Sequence, residues 1–318
     1  MTVIPHAVYG FVPPGLAAVP DGSVQCSPRV PGASVFFDMP PKRCGGLVLH
    51  APASTVERRA VIAMALRSLV PGASLTVLAA NTKGGTRLYD DLAAFGCAGE
   101  ASHRRKHQIV ITTRPEHLTG IDEAIAAGAP RLLSGLDLWS QPGLFNWDRI
   151  DPGSQLLLDH LPPLAGRGAD LGCGIGVLAR AVRAGTDCPE VVLIDIDARS
   201  LAIARRNVPG AGVTELWADV RTAKTLPNGL DFVVTNPPFH DDGEDDTSLG
   251  QAFIQKAAAM LKPGGVLWLT ANRHLPYEAT MKPLFQTLEQ VAQAHGFKIY
   301  AARKASAPLQ TRGLKVRK

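Results

Sequence analysis

From residue 166 onward, short apolar segments alternate with helical ones, and this alternation restricts the fold more than any other feature of the sequence. The apolar segments are GRGADLG, VVLIDID, VTELWAD, LDFVVTN, GGVLWLTA and FKIYAARK. Helical stretches such as ARSLAIARRNV and TSLGQAFIQKAAAMLKPGG separate them. This order predicts an α/β fold whose mostly parallel sheet is covered by helices on both faces.

The length of 318 residues exceeds the usual size of one domain and predicts two. STVERRAVIAMALRSL is predicted to form a helix capped by Ser54 or Thr55, and VPGASLTVLAANTKGGTRLYDDLAAFG follows as turn, buried strand, glycine loop and helix. The same order returns in SQLLLDHLPPLAGRGADLGCGIGVLARAVRAG, so we interpret the chain as an internal duplication. Residues 1–140 form the degenerate copy, because AANTKGG lacks the acid and the glycine spacing of the second copy, residues 141–304.

The composition argues against a membrane role, since 46% of the residues are hydrophobic and no apolar run approaches the roughly 18 residues that span a bilayer. The N-terminus lacks the pattern of a secretory signal, so a cytoplasmic location is expected.

The net charge is +5, and from Lys298 onward the chain has seven Lys or Arg and no Asp or Glu. Residues 305–318 are therefore a basic tail, either solvated or in contact with phosphates.

The five cysteines are scattered, without a CxxC pair, which argues against a disulfide framework and against a zinc site. Each is expected to be a small buried residue. The acidic run DDGEDD could hold Mg²⁺, but a solvated loop is the preferred interpretation, and no metal is predicted.

The loop in ADLGCGIGVLA is the first candidate ligand site, because ligands of open parallel sheets bind at the carboxyl ends of the strands. Gly172, Gly174 and Gly176 would let a ligand approach the backbone at the start of a helix. Asp170 precedes these glycines, and Asp195 ends the next strand, nineteen residues after Gly176. A carboxylate at that place can accept both hydroxyls of a ribose.

The glycine spacing favours S-adenosylmethionine over a dinucleotide. The loop has G-x-G-x-G rather than G-x-G-x-x-G, and a pyrophosphate would be repelled by Asp170. S-adenosylmethionine has no phosphate, and a carboxylate can offset its positive groups. Asp219, at the end of ELWAD, could accept the adenine amine, with an ordinary turn or cap role as the alternative.

The turn VVTNPPFHDDG after the strand LDFVVTN is the candidate catalytic site. The amine of a nucleobase is a poor nucleophile, and the Asn236 side-chain oxygen and the Pro237 carbonyl could each accept one of its N–H groups. Pro237 and Pro238 would stiffen the turn, and Phe239 would stack on an extruded base. These residues predict transfer of a methyl group to a planar amine.

With these motifs, the C-terminal half resembles class I S-adenosylmethionine-dependent methyltransferases, and more narrowly the RsmC/RlmG group of ribosomal RNA guanine-N2 methyltransferases. The resemblance covers residues 47 to 302. It is carried by GLFNWDRIDPGSQLLLDHLPP before DLGCGIGVLA, by TNPPFHDDG, and by LTANRHLPYE before GFKIYAA. The chain departs from the group after His240, where DDGEDD is longer and more acidic, and in its first 45 residues.

The resemblance implies a Rossmann-like methyltransferase fold with a seven-stranded sheet, a degenerate N-terminal copy and a catalytic domain over residues 141–304. It implies methylation of a guanine N2 amine in ribosomal RNA, naked or in the assembled small subunit, by a monomer. The residues it implies are Asp170, Gly172, Gly174, Gly176 and Asp195 for the cofactor, Asn236, Pro237, Pro238 and Phe239 for the target guanine, and His240, Asn272 and Tyr277 beside the substrate.

Other functions stay open at this point. The N6 amine of adenine and the side-chain amide of a protein glutamine present the same planar NH₂ group to the two acceptors. A non-catalytic RNA-binding or ribosome-assembly factor with a vestigial methyltransferase fold is the alternative from another class.

Overall fold

The computed structural model describes residues 3–34, 39–185, 188–238, 240–241, 244–245 and 247–306. The chain divides into two compact units. The first unit comprises Met1–Arg149, Asp195–Asn207 and Trp217–Asp219, and the second comprises Ile150–Ile194, Val208–Leu216 and Val220–Lys318.

The N-terminal half of the chain contains a six-stranded sheet and a small two-stranded one. The strands are β1 Ala7–Tyr9, β2 Val24–Gln25, β3 Cys44–His50, β4 Leu69–Ala80, β5 Gly99–Arg104, β6 His107–Thr113, β7 Arg131–Leu133 and β8 Leu138–Ser140. The helices are α1 Thr55–Ser68, α2 Leu88–Ala93 and α3 Ile121–Ala127. The larger sheet has the order β2-β1-β3-β4-β6-β5, and only the pairs with β6 are antiparallel.

The C-terminal half of the chain contains a seven-stranded sheet and a small two-stranded one. The strands are β9 Arg167–Leu171, β10 Glu190–Asp195, β11 Val213–Trp217, β12 Leu230–Thr235, β13 His240–Asp241, β14 Glu244–Asp245, β15 Leu261–Asn272, β16 Thr287–Ala294 and β17 Phe297–Arg303. The helices are α4 Pro152–His160, α5 Val177–Ala184, α6 Ala198–Asn207, α7 Thr247–Met260 and α8 Glu278–Met281.

The order of the seven strands is β11-β10-β9-β12-β15-β17-β16. Strand β9 pairs in parallel with β10 and β12, β12 pairs in parallel with β15, and β17 is antiparallel to β15 and β16. The α/β fold with a mostly parallel, seven-stranded sheet is thus confirmed. All six predicted apolar segments form strands, whereas β16 was not among them.

The two larger sheets share one plan, which supports the duplication but corrects its register. The sequence paired α1 and β4 with α4 and β9, yet by strand order the counterparts of α1 and β4 are α7 and β15. Helices α1 and α7 both have 14 residues, and each continues directly into a 12-residue strand. Strand β4 pairs in parallel with β3, and β15 pairs in parallel with β12. The first sheet has no counterpart of β11 among the described residues.

The corrected register shows which residues of the first sheet occupy the positions that Asp170 and Asn236 have in the second sheet. Val8 pairs with Val48 in the first sheet, and Asp170 pairs with Val234 in the second, so Val8 takes the place of Asp170. Two residues along the neighbouring strand, His50 takes the place of Asn236. The N-terminal copy therefore lacks both the acid and the amide.

The segment after β1 also differs from its counterpart after β9. The chain from Gly10 to Ser23 contains no helix. The Phe11 carbonyl accepts a hydrogen bond from Nδ1 of His50 at 2.7 Å, and Leu16 packs with Val48, Leu78 and Ile109 on the sheet. This segment covers the sheet in place of a glycine loop and its helix.

The structure also shows the state of the cysteines, the lengths of the helices and the arrangement of possible metal ligands. All five cysteines are free and buried, as expected, and burial raises the pKa of Cys26 to about 12 and that of Cys97 to about 11. No helix in the described part of the chain is long and apolar enough to cross a membrane. Among the described residues, no three His, Cys, Asp or Glu side chains lie close enough together to hold a metal ion.

Candidate active site

The glycine loop lies between β9 and α5, as the sequence predicted. Gly172, Gly174 and Gly176 have φ angles of 74°, 52° and 83°, in the left-handed region that favours glycine. A Cβ atom on Gly172 would lie 2.9 Å from Cε1 of Phe253, whereas one on Gly174 would meet no atom within 4 Å. The middle of the loop therefore faces open space, where a ligand could approach the backbone.

The base of the loop is fixed by hydrogen bonds to its neighbours. The N–H groups of Gly172 and Cys173 both donate to the Ile194 carbonyl, at 2.8 and 3.0 Å. Asp170 is only 1% exposed, and its Oδ2 accepts the Ala179 N–H at 3.0 Å. Asp170 thus ties the end of β9 to the first turn of α5, a structural role that the sequence did not assign to it.

The Asn-Pro-Pro turn begins beside the glycine loop, because β12 is the parallel neighbour of β9. The hydroxyl of Thr235, the residue before Asn236, donates to the Leu171 carbonyl at 2.6 Å. Leu171 in turn is the residue before Gly172. The structure therefore brings these two predicted motifs together within the second unit. Pro237 is buried and Pro238 is exposed.

The side chain of Asn236 has a defined orientation. Its Nδ2 donates to Oδ2 of Asp151 at 2.8 Å and to Oγ of Ser154 at 2.9 Å. A carboxylate can only accept, so the NH₂ group must face Asp151 and Oδ1 must point elsewhere. With both amide hydrogens used, the oxygen is the group that Asn236 offers to a ligand.

Asp151 and Ser154 are site residues that the sequence analysis missed. Asp151 is the N-cap of α4, with Pro152 at the first helical position, and its side chain accepts the Ser154 N–H. The pattern Asp-Pro-Gly-Ser is a helix start that can be read from sequence. Its contact with a turn about eighty residues further along is a tertiary feature and leaves no such signal.

Asp195 and Asp219 lie on adjoining turns of the first unit. Asp195, the last residue of β10, accepts the Asp197 N–H on its Oδ1 at 2.8 Å. Its carbonyl accepts the Ala218 N–H at 3.0 Å, and Ala218 directly precedes Asp219. Asp195 is buried, whereas Asp219 is half-buried.

Asp197 directly precedes α6, and its side chain caps the start of this helix. Its Oδ1 accepts the backbone N–H of Arg199 at 3.0 Å, and its Oδ2 pairs with Arg199 Nη2 at 2.7 Å. Nη1 of the same guanidinium binds Oε1 of Glu57 at 2.7 Å. One buried cation therefore joins two carboxylates, and it holds the turn that begins at Asp195.

Burial and charge act in opposite directions in this cluster. Burial raises the pKa of Glu57, and the nearby Arg199 offsets only part of that change. Burial lowers the pKa of Arg199, but the negative charges of Asp197 and Glu57 raise it by more than burial lowers it. The pKa of Arg199 therefore lies above its usual value. The guanidinium consequently stays charged, and the carboxylates depend on it.

The predicted substrate residues have different surroundings. Asn272 ends β15, and its Oδ1 accepts the His274 N–H at 3.4 Å. Tyr277 is 1% exposed, within the core of the second unit, and a Cβ atom on Gly250 would lie 1.7 Å from its hydroxyl. The structure thus gives Tyr277 a packing role, and its contact with substrate stays a prediction.

Phe239 lies outside the described residues, and so does the side chain of His240. The backbone of His240 and Asp241 pairs with Glu244 and Asp245 as the hairpin β13–β14. The rest of the acidic run, and the tail beyond residue 306, are also outside the described residues.

The comparisons with known proteins agree with this geometry. Residues 135–301 match the model of the methyltransferase small domain. A ribosomal RNA small subunit methyltransferase C from Shewanella loihica is 32% identical, over 81% of this chain and 77% of its own. The protein of the same name from Pseudomonas fluorescens is also 32% identical, over 87% and 84%.

Among solved structures, the 16S rRNA N2 methyltransferase of T. thermophilus, in complex with AdoMet and guanosine, is similar in fold. It has a TM-score of 0.75 and 24% identity, and the match covers 94% of this chain and 88% of that one.

The strand order, the glycine loop and the adjoining Asn-Pro-Pro turn define an enzyme of the methyltransferase class. The chain belongs to the methyltransferase small domain family, together with the proteins named ribosomal RNA small subunit methyltransferase C.

Proposed function

We propose that the chain transfers the methyl group of S-adenosylmethionine to the N2 amine of a guanine in the RNA of the small ribosomal subunit. The observation that carries this proposal is the orientation of Asn236 beside the glycine loop. The names of the relatives support the substrate, since they are small-subunit ribosomal RNA methyltransferases. The structural relative is described with AdoMet and guanosine bound.

The acceptors at the turn suit a planar amine. The lone pair of such an amine is delocalised into the ring, so the enzyme must orient the nitrogen rather than simply deprotonate it. Oδ1 of Asn236 and the Pro237 carbonyl each accept one N–H in this proposal, and they stabilise the charge that develops on the nitrogen. The stiff Pro237–Pro238 backbone keeps these acceptors in place.

The residues around the glycine loop suit S-adenosylmethionine, which supplies an electrophilic methyl group on a sulfonium. Gly172, Gly174 and Gly176 would line the cofactor, and the open space at Gly174 is consistent with this. Asp195 would accept the ribose hydroxyls, and Asp219 the adenine amine. Asp170 would add negative charge near the positive end of the cofactor.

The division of labour in the chain is part of the proposal. Residues 141–304 would form the catalytic domain, residues 1–140 a degenerate copy that positions the RNA or the subunit, and residues 305–318 a basic tail. The presence of Val8 and His50 at the places of Asp170 and Asn236 supports this division. A cytoplasmic monomer that acts on ribosomal RNA or on the assembled small subunit is the form we propose.

The proposal is tested by mass spectrometry of ribosomal RNA nucleosides from cells with and without the gene. We expect one N2-methylguanosine to disappear from the small-subunit RNA and to return with the wild-type gene but not with an Asn236→Ala gene. An unchanged N2-methylguanosine content would refute the guanine assignment. Loss of N6-methyladenosine instead would move the target to adenine.

Replacing Asp195 with alanine is expected to weaken the binding of S-adenosylmethionine by about 10–100-fold, because hydrogen bonds to a charged acceptor contribute about 1.5–3 kcal/mol. Isothermal titration calorimetry of the purified protein measures this. The matched control is Asp122→Ala on the exposed side of α3, which should bind as the wild type does. An unaltered dissociation constant for the Asp195 variant would remove its role in ribose binding.

A further inference from the structure

The start of α4 holds the amide of Asn236 through the buried carboxylate of Asp151 and the hydroxyl of Ser154. Oδ2 of Asp151 accepts the Ser154 N–H at 2.8 Å and the Asn236 Nδ2–H at 2.8 Å. Asp151 is 8% exposed and Ser154 is 9% exposed. The same oxygen therefore caps the helix and fixes the amide.

Gly153, which lies between Asp151 and Ser154, is constrained to be small. A Cβ atom on Gly153 would lie 2.7 Å from Cδ1 of Phe297 and 3.0 Å from Oδ2 of Asp151. The first distance is shorter than side-chain contacts allow, so the turn packs directly on β17. This packing keeps Asp151 and Ser154 at the distance from Asn236 that two hydrogen bonds require.

We infer that Asp151 is a positioning residue for methyl transfer, acting through Asn236. This inference rests on the proposed function, in which Oδ1 of Asn236 accepts the target amine. Asp151 fixes which end of the Asn236 amide faces the substrate. Its negative charge also polarises the amide, because hydrogen bonds in a chain strengthen one another, and a polarised amide oxygen is a stronger acceptor.

A helix cap alone would not produce this effect. Asparagine is about as good an N-cap as aspartate, so an Asp151→Asn variant keeps the cap and loses the charge. In this variant the introduced amide oxygen takes the place of Oδ2 and accepts both hydrogen bonds, but it carries no charge. Asn236 is then polarised less, so its oxygen is a weaker acceptor for the target amine.

The experiment compares Asp151→Asn with Asp159→Asn, an exposed aspartate on the same helix. The assay uses S-adenosylmethionine and small-subunit ribosomal RNA from cells that lack the gene. We expect Asp151→Asn to lower kcat about tenfold or more, with an unchanged dissociation constant for S-adenosylmethionine and a melting temperature within about 2 °C of wild type. Asp159→Asn should match the wild type in all three.

A charge exchange gives a second readout, which a capping role would not move. Asn236→Asp alone sets two carboxylates against each other and should be poorly active. The D151N/N236D double variant restores one donor amide and one acceptor carboxylate, so its kcat should exceed that of Asn236→Asp by about tenfold. If the charge at residue 151 did not act on residue 236, the second change would bring no gain.

The outcomes separate this inference from the proposed function. Full kcat for Asp151→Asn together with no gain in the double variant, while Asn236→Ala is inactive, would overturn the inference and leave the proposed function standing. An active Asn236→Ala variant would overturn the proposed role of Asn236, and the inference would fall with it.

Discussion

Replacing Asn236 with alanine is expected to lower kcat by roughly 10²–10³-fold, the usual effect of removing one oriented hydrogen-bonding group that acts in the transition state. The side chain is held by Asp151 and Ser154, so no rearrangement is needed to present its oxygen. The affinity for S-adenosylmethionine should change little, since the amide binds the target amine in our proposal. Single-turnover methylation and calorimetry measure the two quantities separately.

The matched control is Asn228→Ala, an exposed asparagine just before the other end of β12. It should retain the wild-type kcat. An Asn236→Ala variant as active as this control would show that the amine is oriented by other groups. A parallel loss of cofactor binding would instead mean that the turn supports the glycine loop through Thr235.

Replacing Arg199 with alanine is expected to lower the free energy of unfolding by roughly 3–5 kcal/mol, because it leaves two buried carboxylates without their cation. The Arg199 side chain is 5% exposed and binds Glu57 and Asp197 at 2.7 Å each. The loss should be smaller at pH 5 than at pH 7.5. Burial raises the folded-state pKa of Glu57, and without Arg199 the folded state takes up a proton more readily than the unfolded state as the pH falls.

Urea denaturation of purified protein at both pH values measures this difference. Arg206→Ala is the control, since Arg206 is an exposed residue of the same helix that lies over the ring of Trp139 at 4.9 Å. That contact should contribute only about 0.5–1 kcal/mol. Equal losses in the two variants would mean that the buried cluster is no more stabilising than a surface contact.

The central strands of the seven-stranded sheet could be predicted from the sequence, whereas its edge strand β16 could not. Strands such as β9 and β12 are short apolar runs bounded by glycine or proline, and burial on both faces gives that composition. Strand β16, TLEQVAQA, lies at the edge of the sheet and has no buried residue, so its composition is half polar and carries no comparable signal.

The register of the repeat could not be obtained from local pattern. Each helix-strand-glycine unit of an α/β fold looks alike in sequence, and TKGG after β4 was taken for a counterpart of the loop after β9. Only the strand order distinguishes them, because it depends on contacts between distant segments. The motifs of the site were easier to predict, because the residue types at Gly174 and Asn236 indicate the chemistry of their own turns. The hydrogen-bond partners of Asn236 depend on tertiary packing and could not be predicted.

The segment after β1 has a consequence for any attempt to engineer chemistry into the N-terminal half. Leu16 packs on the first sheet, where the second sheet has its glycine loop, and the hydrogen bond between His50 and Phe11 joins this segment to β3. Substituting an acid for Val8, which is 9% exposed, would bury a new polar group beneath this segment. A ligand site in this half would therefore require a different segment after β1, one that leaves the sheet accessible.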